Sequence, residues 1–240
     1  MSKISTKEIP INERLIHALD VPNFEDAKAR VELLGDSVTF YKVGLELFMS
    51  GNYFELIDWL LARNKKVFAD LKFFDVPETV ARAVSRLSES KVEFATVHGN
   101  DAMLAAAARE KGDMKILAVT VLTSLDKGDI DDLGFKADIP QIVLSRAKRA
   151  LQIGCDGVIS SGLEAPALRD SLGDQFLVIS PGIRPVENRA EDDQKRIVTV
   201  EQAFLNGADY IVVGRPIKNA EDPYKTATEI QATIKKVFNA

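Results

Sequence analysis

Cysteine is nearly missing from this chain: of 240 residues, only Cys155 carries a thiol. A single thiol forms no internal disulfide and no thiolate metal cluster. Histidine is almost as scarce, with only His17 and His98, too few for a histidine-rich metal site. No apolar run approaches the length of a membrane span, and the first residues show no secretory apolar region. The net charge of −5 argues against a nucleic-acid surface built on global charge. It leaves room for a local basic pocket. Low-complexity and linker segments are also absent, so one domain over residues 1–240 is expected. Together these absences predict a cytoplasmic protein with no thiolate or histidine-rich metal site, no nucleic-acid partner and no membrane partner.

What is present is a sizeable hydrophobic fraction, 46%, enough for a large core. It is distributed as alternating strand-like and helix-like segments. Strand-like runs fall at 14–20, 38–45, 66–71, 94–98, 116–122, 157–160, 176–181 and 210–214. Several are continuously apolar, as expected of strands covered on both faces. Helical segments are expected at 23–34, 45–63, 77–88, 101–110, 139–153, 163–170, 200–206 and 223–238. Asn23 is placed as a helix cap, Pro77 and Pro223 in first turns, and Gly154 and Gly207 as stops. Eight strand–helix pairs, one roughly every thirty residues, predict an α/β chain folded as a (β/α)8 TIM barrel. A doubly wound open sheet is the competing architecture. It is disfavoured because no glycine-rich dinucleotide fingerprint follows the first strand. The polar stretch 182–196 after the seventh strand is long for an ordinary βα connection and is expected to act as a lid.

Within the third strand-like run, Asp70, Lys72 and Asp75 stand within six residues. Residues two apart on a strand share a face, so Asp70 and Lys72 are expected to project together. Such charges are costly in a core unless chemistry occurs there; the competing reading is a surface ion pair at a strand–loop junction. Other polar groups recur at the C-terminal strand ends: Asp20, Lys42, His98, Thr123 and Ser124. The starts of the strands show no matching pattern in the sequence, and a barrel's active site lies at the C-terminal ends. After strands seven and eight come Gly182, Arg184, Gly214 and Arg215. Glycine lets backbone amides approach an anion, and arginine offers a planar fork to phosphate oxygens. Gln194 in the lid is a further candidate donor. His17 reads as packing, His98 as either site floor or structural, and Cys155, Trp59, Phe48 and Phe54 as core or interface filler.

These residues resemble the orotidine 5'-phosphate decarboxylase family in its bacterial form. The likeness runs along nearly the whole chain, through Ala18-Leu19-Asp20, Tyr41-Lys42-Val43-Gly44, Asp70-x-Lys72-x-x-Asp75, Leu122-Thr123-Ser124, Pro181-Gly182-Ile183-Arg184 and Val213-Gly214-Arg215-Pro216. The Asp-x-Lys-x-x-Asp signature is shared with hexulose-phosphate synthases and keto-gulonate-phosphate decarboxylases. Those relatives carry a magnesium-binding Glu where this chain has Lys42. The resemblance therefore implies cofactor- and metal-independent conversion of orotidine 5'-phosphate to UMP and CO2. It implies Lys72 as the proton donor to C6, Asp70 beside the substrate carboxylate, and Lys42 linking Asp70 to the ribose. Asp20 would hold a ribose hydroxyl, and Thr123 and Ser124 the pyrimidine edge. It further implies a homodimer in which Asp75 and Thr79 serve the neighbouring subunit's site. Two departures stand out, Phe74 where many members have His and Glu78 where many have Asn. The competing functions are a magnesium-dependent aldolase, a histidine-richer epimerase barrel, and a non-enzymatic phosphosugar-binding protein.

Overall fold

The computed structural model describes residues 3–98, 100–184 and 197–239. Eight parallel strands close into a barrel in chain order: β1 (Leu15–Ala18), β2 (Phe40–Gly44), β3 (Lys66–Phe73), β4 (Phe94–His98), β5 (Lys115–Val119), β6 (Gly157–Ile159), β7 (Leu177–Ser180) and β8 (Tyr210–Val213). The expected barrel is therefore the observed one. The strands are nearly all buried because helices cover their outer faces and side chains fill the interior.

Two apolar layers result. The outer one packs strand residues such as Leu15, Tyr41, Val67 and Val97 against helical residues such as Val31, Leu56, Val84 and Ile234. The inner one fills the barrel with Ile16, Phe40, Phe68, Phe94, Leu117, Ile179 and Tyr210. Phe94 is central to it, with ring centroids 5.1 Å from Phe40, 5.2 Å from Tyr210 and 6.0 Å from Phe68. This aromatic plug closes the barrel from below. The side chains one inward step further along each strand therefore form the floor of whatever lies above.

The helices follow the expected segments with a few differences. Phe24–Leu34 is capped by Asn23, whose side chain accepts from Asp26 N. Pro77–Ser88, Asp101–Glu110, Ile139–Ile153 and Pro223–Phe238 fall where the sequence places them. The single helix expected at 45–63 is instead two, Leu45–Met49 and Tyr53–Leu61, broken around Gly51. Lys127–Asp132 and Arg215–Lys218 are short helices that the apolar pattern did not mark.

The strand starts are charged as well, contrary to the pattern expected from the sequence. On the N-terminal face, Lys66 pairs with Glu13 at 2.7 Å, Lys111 with Asp156 at 2.7 Å, and Arg169 with the fully buried Asp209 at 2.7 Å. Lys7 and Ser5 also bind Asp209, and Lys115 pairs with Glu93. Both barrel faces are therefore charged. Those at the starts are mutually satisfied, as structural charges must be.

Candidate active site

At the C-terminal ends of the strands a cavity of about 320 Å3 opens above the aromatic plug. Its walls carry Asp20, Lys42, Asp70, Lys72, Thr123, Ser124, Gly182, Arg184, Gly214 and Arg215. Ala18, Phe68 and Val212, members of the inner layer, form part of its base. Ten of the polar, charged and glycine positions proposed from sequence thus converge from six different strand ends.

The charged row is continuous. Lys42 Nζ lies 3.3 Å from Asp20 Oδ1 and 3.3 Å from Asp70 Oδ2. Lys72 Nζ donates to Asp70 Oδ1 at 2.8 Å. Asp20, at one end of this row, has its side chain 53% exposed, whereas Asp70, between the two lysines, is protected at 11%. Burial alone pushes the Asp70 carboxyl upward. Lys42, Lys72 and hydrogen bonds from Lys72 and Thr96 outweigh it and hold the carboxyl below its ordinary value. Burial pulls the Lys42 ammonium down, and Asp70 and Asp20 more than restore it, leaving it above its ordinary value. Asp70 and Lys42 are therefore both ionised at neutral pH.

The backbone under Lys72 departs from a plain strand. The β3–β4 register runs Ala69 against Ala95 and then Phe73 against Val97. Lys72 has φ +48°, in the left-handed region that side chains other than glycine avoid, at a cost of order 1 kcal/mol. Simple alternation predicts Asp70 and Lys72 on one face of a strand ending near Leu71. Instead, the strand continues to Phe73 through a bulge, and the bulge aims the ammonium at the carboxylate. Thr96, fully buried on β4, contacts both residues: Lys72 N donates to Oγ1 at 2.9 Å, and Oγ1 donates to Asp70 Oδ1 at 2.9 Å. Attention to strand ends missed Thr96. The available signal was its inward phase on β4, one step beyond Phe94.

On the opposite wall, Gly182 has φ +76°, a conformation suited to glycine. Ile183 bridges to Val198, with Arg184 N donating to Val198 O at 3.0 Å and Val198 N to Gly182 O at 3.1 Å. This fixes Gly182 and Arg184 at the cavity. Gly214 caps the short helix Arg215–Lys218, and Arg215 is exposed at the cavity edge. Gln194, and residues 185–196 of the expected lid, lie outside the described residues.

Asp75 and Thr79 do not line this cavity within one chain. Asp75 is exposed and accepts from Val76 N at 2.6 Å, next to the helix Pro77–Ser88 that carries Thr79 and Glu78. His98 is outside the lining too. Its ring meets Phe74 edge-on at 5.7 Å, and burial, then Arg146 and Lys72, push its pKa down. Phe74 is 67% exposed.

Residues 13–230 match the family model described as "Orotidine 5'-phosphate decarboxylase / HUMPS family". The chain is 66% identical over 237 residues to an orotidine 5'-phosphate decarboxylase of Methylococcus capsulatus, covering 99% of this chain and 98% of the relative. It is 51% identical over 226 residues to one from Xanthomonas campestris pv. campestris, covering 93% of each. Among solved structures, the orotidine 5'-phosphate decarboxylase of Lactobacillus acidophilus superimposes with a TM-score of 0.80 at 36% identity, covering 95% of this chain and 100% of that one.

Proposed function

Because this chain belongs to the orotidine 5'-phosphate decarboxylase / HUMPS family, we infer that its cavity decarboxylates orotidine 5'-phosphate to UMP and CO2. The observation that carries the reading within this broad family is Lys42. Its ammonium fills the space between the carboxylates of Asp20 and Asp70, 3.3 Å from each. A divalent cation shared by those carboxylates would have to displace it. Metal- and cofactor-independent chemistry is the corresponding proposal.

In this reading the substrate spans the cavity. Its phosphate faces Gly182, Arg184, Gly214 and Arg215, with Gln194 as a further donor. The pyrimidine edge meets Thr123 and Ser124, and the ribose meets Asp20 and Lys42. C6 and its carboxylate then face Asp70 and Lys72. Breaking the C6–CO2 bond leaves its electron pair on C6, and the Lys72 ammonium stabilises that charge and donates its proton there. Asp70, ionised and close to the departing carboxylate, disfavours the bound substrate while holding Lys72 in place. Preorganisation of these charges supplies the rate, since they need no rearrangement as charge moves to C6. Binding of the remote phosphate supplies energy for closing the 182–196 segment and excluding water.

Homodimerisation completes the proposal. Leu45, Phe48, Met49, Phe54, Phe74 and Val76 are large apolar side chains exposed around the loops after β2 and β3. Phe74 and Val76 adjoin Asp75 in sequence, and Asp75 does not line its own chain's cavity. A second copy covering this region would bring Asp75 and Thr79 to the neighbouring site. No helix of the described residues is long and apolar enough to cross a membrane. Cytoplasmic action, with the buried Cys155 as a free thiol, belongs to the same proposal.

The test is product analysis in EDTA. Equal yields of UMP and CO2 from orotidine 5'-phosphate are expected. Inertness toward that nucleotide, with aldol chemistry on a phosphosugar when Mg2+ is restored, would move the chain to the metal-dependent branch.

A further inference from the structure

Thr96 carries no charge and ends no strand, yet its hydroxyl touches both members of the Asp70–Lys72 pair. Oγ1 lies 2.9 Å from Lys72 N and 2.9 Å from Asp70 Oδ1. A backbone N–H only donates, so Oγ1 accepts from Lys72. An ionised carboxylate only accepts, so the hydroxyl proton points to Asp70. The direction of both bonds is therefore fixed. Thr96 is 0% exposed, so bulk water does not compete for either.

The β3–β4 ladder explains why a side chain is needed here. Between the Ala69–Ala95 and Phe73–Val97 pairs, Asp70, Leu71 and Lys72 all stand opposite the single residue Thr96. Regular pairing is lost in that interval, and the Lys72 N–H takes the threonine hydroxyl as its acceptor. The same atom that secures the left-handed Lys72 backbone also orients the Asp70 carboxylate.

We propose that Thr96 is a positioning residue for decarboxylation: its one hydroxyl holds the Lys72 backbone and the Asp70 carboxylate in fixed relation. This rests on the decarboxylase reading above and adds to it a residue outside the charged row. Asp70 is faced by Lys42 from β2, Lys72 from β3, Asp20 through Lys42, and Tyr53 from the helix Tyr53–Leu61. Thr96 adds a neutral hydrogen bond to the influences that hold it ionised.

The experiment compares wild type with Thr96→Val, Thr96→Ala and Thr96→Ser. Valine and alanine are expected to lower kcat by about 10- to 100-fold with KM within roughly threefold, while serine stays within roughly threefold of wild-type kcat. The acid limb of the pH profile should move to higher pH in valine and alanine and stay in place in serine, because a lost hydrogen bond to the charged form raises a carboxyl pKa. The alanine variant removes the hydroxyl without adding bulk, should valine disturb folding. The 13C carboxyl signal of Asp70, followed across pH, reads the same relation without turnover. A higher midpoint in alanine than in serine supports the proposal. Equal midpoints, unchanged kcat in folded alanine, a loss confined to KM, or serine no better than alanine would overturn it. Failure of the wild type to consume the nucleotide would instead sink the decarboxylase reading, and the Asp70 titration would still decide the role of Thr96.

Discussion

Lys72 reaches Asp70 at 2.8 Å from a backbone turned into the left-handed region, although the two residues share a strand. An undistorted strand would place their side chains parallel, about 7 Å apart along the chain. The bulge turns a row of neighbours into a contact. In the proposed cofactor-free reaction, that contact would present the proton donor already oriented and already paired with its counter-charge. Strain at such a residue is maintained by its surroundings, here the ladder on both sides and the buried Thr96.

The proposed sharing of Asp75 between subunits can be tested quantitatively. Lys72→Ala and Asp75→Asn should each be inactive as pure homodimers. Co-refolding equal amounts should restore about a quarter of wild-type activity, because half the dimers are mixed and each mixed dimer holds one intact site of two. Activity that stays at the level of the separate variants would place Asp75 outside the neighbouring site.

Arg215→Ala tests whether phosphate binding contributes to turnover. If binding there drives closure, kcat for the whole nucleotide falls by at least about tenfold along with a rise in KM. A raised KM with unchanged kcat would limit Arg215 to ground-state binding.

His17 gives the fold a pH dependence apart from catalysis. It is buried on β1 with Nδ1 2.9 Å from Val213 O, so Nδ1 carries the proton of the neutral ring. Burial pushes its pKa down to about 4 from the usual 6.5. Between those values the unfolded chain binds the proton and the folded one does not, so stability is retained above pH 6.5 and falls as pH drops toward 4. The full loss is about 3 kcal/mol. His17→Gln, which can still donate to Val213, should therefore gain on wild type by up to this amount between pH 7 and pH 4 in urea unfolding. A difference independent of pH would contradict the neutral buried ring.

Gly157 marks where the barrel wall has no spare room. A Cβ there would lie 2.6 Å from Leu177 O and 2.7 Å from Leu177 Cβ on the paired strand. Gly157→Ala should cost about 2 kcal/mol, read as a lowered urea midpoint. An unchanged midpoint would mean that β6 and β7 separate more freely than their pairing suggests.

Much of this was legible in the sequence. β4 and the helices Pro77–Ser88 and Ile139–Ile153 match their expected bounds because apolar periodicity, prolines and stops agree there. Strand-end positions led directly to Lys42, Asp70, Lys72, Thr123 and Arg215, since parallel strands in a barrel deliver their ends to one rim. Gly51 was overlooked because the apolar run continues through Tyr53–Leu61 on either reading. The β3 bulge was invisible because alternation alone already brought Asp70 and Lys72 to one face. Thr96 escaped because its importance arises from a register shift between two strands, a property of their pairing rather than of either segment. The paired charges at the strand starts, such as Lys66 with Glu13, join residues distant in sequence.

In the proposed mechanism the Asp70–Lys72 pair performs metal-free decarboxylation with Lys72 as proton donor. Its most direct test is absorbance-monitored turnover of orotidine 5'-phosphate in EDTA by wild type beside Lys72→Ala. Rapid wild-type conversion to UMP, with kcat reduced by on the order of 10^4 or more in the variant, is predicted from the combined loss of charge stabilisation and proton donation. Comparable turnover by the two proteins would contradict it.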